Sequence, residues 1–73
     1  MTYIVKSPMT VSLVKKINEA AIKEDFDVKV SCGSVIVDAK SFLALLTLIG
    51  KNVNLVTSDS VNPKEFLSFA RKF

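Results

Sequence analysis

The stretch from Val35 to Gly50, VIVDAKSFLALLTLIG, constrains this chain more than any other. Three strand-forming apolar residues lead into Asp38, Ala39, Lys40 and Ser41. The eight residues that follow contain one polar side chain, Thr47, before Gly50 breaks the run. Ser41 stands where a helix would begin, because its hydroxyl can accept from the orphan N–H groups of a first turn, and Gly50 suits the left-handed position past a last turn. The pattern predicts one short helix over Phe42 to Ile49. A helix lying on a sheet needs only an apolar stripe, yet this one is apolar on nearly every side. Phe42, Leu45, Leu46 and Ile49 fall on one face, while Leu43 and Ala44 start another. A single domain of 73 residues is too small to bury both. Part of the helix is therefore expected as an exposed apolar patch beside Ser41, the kind of surface that marks a protein interface. The plainer outcome is that a neighbouring segment covers the second face.

The flanking sequence supplies partners for this helix. Thr2 to Lys6 alternates, with Tyr3 and Val5 on one side and Ile4 on the other, and the run stops at Ser7-Pro8, as a strand does at a proline. From Thr10 the period changes. Val14, Ile17 and Ala21 recur at helical spacing among Lys15, Lys16, Asn18, Glu19 and Lys23, which predicts an amphipathic helix over about Val11 to Lys23 with Thr10 as its N-cap. Phe26, Val28, Val30 and Cys32 alternate with Asp27, Lys29 and Ser31. Gly33-Ser34 then offers a tight turn into Val35-Ile36-Val37, so the two runs read as an antiparallel hairpin. Val53 and Leu55, alternating with Asn52 and Asn54, make a fourth strand, followed by a polar loop from Thr57 to Val61. Asn62-Pro63-Lys64-Glu65 combines a capping residue, proline at the first helical position and a glutamate that can reach back; Phe66, Phe69, Ala70 and Phe73 then give an apolar stripe to the C-terminus. The order is βαββαβα, and the economical solution in residues 1–73 is a single α+β domain. It would be an open-faced sandwich in which helices cover one face of a four-stranded antiparallel sheet. A ferredoxin-like arrangement shares the same element order.

Composition removes several function classes. One cysteine and no histidine exclude an intrachain disulfide and a Cys/His metal site, and leave Cys32 as a small buried hydrophobe with no imidazole to activate it. Ten basic residues against seven acidic ones give only +3; the lysines are scattered, without interleaved aromatic residues, so solvated faces account for them better than nucleic acid does. Met1 to Ser7 lacks the apolar run of a signal peptide and no stretch reaches bilayer length, which points to a cytoplasmic chain with no membrane partner. Glu24, Asp25 and Asp27 cluster where a link between helix and strand carries ordinary solvated acids. No catalytic set and no cofactor-binding motif stands out, so the chain does not read as an enzyme. A domain of this size buries roughly 60% of its unfolded surface, and its stability is about 4 to 11 kcal/mol.

The run Ser34 to Ile49, a strand, an Asp-Ala-Lys-Ser turn and a short apolar helix, resembles the regulatory-serine region of HPr, the histidine-containing phosphocarrier family of the bacterial sugar phosphotransferase system. The rest of the chain matches in element order rather than in residues. The resemblance puts Ser41 on the family's regulatory phosphorylation site and makes Lys40, Phe42, Leu43 and Leu46 the expected partner-binding residues. It implies protein partners, either phosphotransferase-system components or a serine kinase of the HPr kinase type, and the open-faced sandwich as the fold. It also shows what is missing. In the family a histidine at the start of the first helix carries the phosphoryl group, with an arginine two residues on and a proline after that. Counting back from Ser41 places Thr10 at the histidine position, with Ser12 and Leu13 at the other two. The chain therefore resembles the branch of the family that lacks the histidine and acts through its serine. The other reading is a small interaction domain with no remaining link to phosphotransfer, in which Thr10 and Ser41 are helix caps alone.

A direct test of the lost relay is incubation with enzyme I and phosphoenolpyruvate. No acid-labile phosphate should appear on the wild type, and Thr10→His alone should not restore it, because Ser12 and Leu13 also depart from the signature.

Overall fold

The computed structural model describes residues 2–58 and 70–72. In chain order its elements are β1 (Thr2–Val5), α1 (Val11–Lys23), β2 (Val28–Cys32), β3 (Val35–Asp38), α2 (Phe42–Leu46), β4 (Asn54–Thr57) and β5 (Ala70–Lys72). The strands form one antiparallel sheet in the order β3-β2-β4-β1-β5. Along its middle row Tyr3 stands opposite Leu55, Leu55 opposite Val30, and Val30 opposite Val37. Since side chains alternate along a strand, these residues share one face with Val5 and Val28, and all but half-buried Val37 are buried there. Val14, Ile17, Ala20 and Ala21 of α1 and Leu45 of α2 join them in a single core. Lys29, Ser31, Ile36 and Asn54 belong to the opposite face, none of them buried.

The two helices are held by their connections as well as by their apolar sides. Thr10 caps α1, with the Leu13 N–H donating to Thr10 Oγ1 at 3.1 Å. The Met9 N–H donates to the Lys51 carbonyl at 2.9 Å and the Gly50 N–H to the Met9 carbonyl at 2.8 Å, so the chain entering α1 is tied to the chain leaving α2. Met9 is buried at that junction. Gly50 has φ +86°, a conformation that a side chain would strain, and it turns the chain towards β4. Gly33, at φ +61°, does the same in the β2–β3 hairpin.

Four expectations change. The central helix ends at Leu46 rather than running to Ile49. Thr47 Oγ1 donates to the Ala44 carbonyl at 2.6 Å, and the N–H groups of Thr47, Leu48 and Ile49 reach back three residues, to Ala44, Leu45 and Leu46. A hydroxyl that competes for a helix carbonyl favours this tighter winding. In that winding positions three apart align, so Leu48 follows Leu45 into the core while Ile49 is exposed; Phe42, in the first turn, is exposed as well. Thr57 belongs to β4, not to the following loop, and its side chain is buried opposite Val28. Cys32 is a free thiol and only half-buried, because β3, its neighbour at the hairpin, lies at the edge of the sheet. Among the described residues the sheet has five strands instead of four. Residues 70–72, read as the end of a helix, instead pair with β1, Ala70 opposite Val5 and Lys72 opposite Tyr3. Without them β1 would present unpaired N–H and C=O groups, and ladder bonds to it outweigh the weak helix preference of three residues. The helix start at Asn62 lies outside the described residues.

Leu45 and Leu43 are two residues apart with opposite fates, fully buried and 77% exposed. Leu45→Ala should cost about 2 to 5 kcal/mol, a large share of the total, whereas Leu43→Ala should stay within about 0.5 kcal/mol of wild type; urea denaturation of the two variants measures the difference.

Candidate functional site

The turn that carries Ser41 is built from short polar contacts around a buried alanine. Asp38 Oδ1 accepts from the Lys40 N–H at 2.9 Å, and the Asp38 carbonyl accepts from the Ser41 N–H at 3.0 Å. An aspartate that closes on its own backbone two residues ahead is well suited to such a turn. Ala39 is fully buried beneath it and donates its N–H to the Val28 carbonyl at 2.9 Å, extending the β2–β3 ladder by one rung. Its carbonyl accepts from Asn18 Nδ2 at 3.2 Å. The turn is thus fixed to the sheet on one side and to α1 on the other.

Ser41 leaves the turn in an extended conformation, φ −97° and ψ 105°, and starts α2. The Ala44 N–H donates to Ser41 Oγ at 3.4 Å and the Leu45 N–H to the Ser41 carbonyl at 3.1 Å. The cap is therefore a long one, and the side chain is exposed. Next to it Leu43 is 77% exposed and Phe42 38%, while Leu46 is half-buried and packs against the core and Lys40 is half-buried. Of the residues expected to meet a partner, Phe42 and Leu43 lie open beside Ser41, and Leu46 turns largely inward.

Thr10 is a helix cap and stands apart from this group. Met9 is bonded to Gly50 and Lys51, beyond the last turn of α2, whereas Ala39, before its first turn, is bonded to Asn18. Thr10 and Ser41 therefore lie at opposite ends of α2. Ser12 is exposed and Leu13 half-buried, so nothing in the first turn of α1 replaces the missing imidazole and guanidinium. Glu24 is half-buried, Asp25 and Asp27 are exposed, and among the described residues no group of three His, Cys, Asp or Glu side chains is placed to hold a metal ion. No helix among the described residues is long and apolar enough to cross a membrane.

Asn18 is the one residue of the site that sequence reasoning missed. It sits in α1 between Ile17 and Glu19 and reads as part of the solvated face. Its role depends on how α1 packs beside the turn, 21 residues away, for which the local sequence carries no signal. No protein-family model matches this chain, and no curated protein or solved structure matches it significantly.

The two polar fixtures of the turn should differ in cost. Ser41→Ala removes a cap and should destabilise by about 0.5 to 2 kcal/mol, and Ser41→Asp should be nearly neutral because aspartate also caps. Asn18→Ala leaves the Ala39 carbonyl without its donor and should cost about 1 to 3 kcal/mol. Thermal or urea unfolding of the three variants reads both effects.

Proposed function

We propose that the chain is an HPr-like regulatory or protein-binding module. In this reading it is not an enzyme, is not competent for histidine phosphoryl relay, and acts through Ser41 and the apolar helix after it. The observation that carries this reading is the exposed Ser41 hydroxyl on a fixed turn, directly beside exposed Phe42 and Leu43. A phosphate there would add close to two negative charges at the border of a surface that a partner must dry on docking. The modification would then weaken or redirect binding. Partners in this reading are cytoplasmic proteins, either phosphotransferase-system components or a serine kinase of the HPr kinase type; Lys40 would stand beside the phosphate, and no cofactor takes part.

The fold supports the phosphocarrier resemblance at the level of arrangement. One core collects the buried strand residues and both described helices, as an open-faced sandwich requires. In a ferredoxin-like sheet β1 and β3 are central neighbours, whereas here β3 is at the edge and β4 lies between β1 and β2. A second reading, an interaction domain with no link to phosphotransfer, is favoured by the bond from the Ala44 N–H to Ser41 Oγ, which gives the serine a structural job.

Incubation with HPr kinase and ATP separates the two. Under the regulatory reading phosphate appears on the wild type and not on Ser41→Ala, and Ser41→Asp loses or changes partners recovered from lysate of the source organism. If no phosphate is incorporated and both variants keep the same partners while Leu43→Asp loses them, Ser41 is only a cap and the interaction-domain reading stands.

A further inference from the structure

Among the described residues, four of the eight exposed large hydrophobics lie within nine consecutive positions, Val35, Ile36, Phe42 and Leu43, on β3 and the start of α2. β3 is also an outer strand of the sheet, and among the described residues no strand lies beyond it. The direction of its free backbone groups follows from the ladder. The Ala39 N–H donates to the Val28 carbonyl, and in an antiparallel pair bonded and non-bonded positions alternate. Val37, opposite Val30, and Val35, opposite Cys32, therefore bond to β2. Ile36 and Asp38 point their N–H and C=O groups away from the sheet. The Asp38 carbonyl is taken by the Ser41 N–H within the turn, which leaves both groups of Ile36 and the N–H of Asp38 as the open edge.

We propose that this edge pairs with the β3 strand of a second copy of the chain, giving a two-fold dimer with one continuous sheet. The edge is self-complementary when the axis passes beside Ile36. Ile36 then exchanges both of its backbone bonds with Ile36 of the other copy, and each Asp38 N–H donates to the Ser34 carbonyl across the axis. Asp38 meets Ser34 and never another Asp38, so no like charges oppose one another. A heterologous pairing of β3 with β5 would leave an open edge at each end and grow without closing. Strand pairing alone is smaller than the roughly 800 Å² per partner of a stable interface. Here the strand is flanked by Val35 and the 66%-exposed Ile36 on its two faces, and by Phe42 and Leu43 on α2, which packs against β3. Closure of the dimer would cover part of this exposed apolar surface. The pairing does not depend on the reading of Ser41 as a regulatory residue.

Sedimentation velocity of the whole chain from micromolar to millimolar concentration tests this. The wild type should reach twice the mass of one chain and stop there, and the Ile36 and Asp38 amides should exchange with solvent more slowly as concentration rises. Ile36→Lys sets two ammonium groups against each other at the axis and should halve the mass with unchanged circular dichroism, melting where the wild type does once diluted to single chains. Ile36→Pro removes the outward N–H without touching the β2 ladder and should do the same if it folds. A wild type that stays at single-chain mass at millimolar concentration, a dimer that survives Ile36→Lys, or a mass that grows past two chains would each overturn the proposal.

Discussion

Everything in this molecule rests on one dry layer between the sheet and its helices. At its centre is Leu55 on β4, with Tyr3 of β1 on one side, Val30 of β2 on the other, and all three buried. Val14, Ile17 and Ala21 of α1 and Leu45 and Leu48 from the α2 region complete the layer. A chain of 73 residues has apolar surface enough for one such layer, so each element is judged by the single face it can place there.

That limit explains the character of the candidate site. The segment from Phe42 to Ile49 offers more apolar side chains than one face of a short helix can use. The tight winding after Leu46 brings Leu48 into the core beside Leu45 and leaves Ile49 outside, and Phe42 and Leu43 of the first turn are exposed too. Because Ala39 is anchored to Val28 and to Asn18, the start of α2 cannot rotate to hide them. The exposed patch is thus a consequence of where the turn is pinned, and Ser41 is exposed for the same reason.

Sheet order extends the argument to the edges. β4 and β1 lie inside the sheet and are paired on both sides; β3 is, among the described residues, paired on one side only, and its apolar residues are correspondingly half-buried or exposed. In a central strand Val35 and Val37, on the covered face, would be buried, whereas Ile36, on the open face, would stay exposed as Val56 of β4 does. Edge location therefore turns an ordinary core-type strand, Val35 to Asp38, into an available surface.

The sequence by itself determined the elements whose signals are local. The bounds of α1 and its Thr10 cap, the Gly33-Ser34 hairpin turn, the Asp38 to Ser41 turn with its serine cap, and the left-handed Gly50 all follow from the chemistry of residues within a few positions of one another. The tertiary structure alone decided what depends on distant neighbours. Ala70 to Lys72 became a strand because β1 had a free edge, and Thr57 was drawn into β4 because Val28 stood opposite. The choice of exposed α2 residues followed from where the tightened last turn met the core. Asn18 gained its role only when α1 packed beside Ala39. A helix period fixes which residues share a face, but which face is dry, and which polar side chain finds a partner, is set only when the layers close.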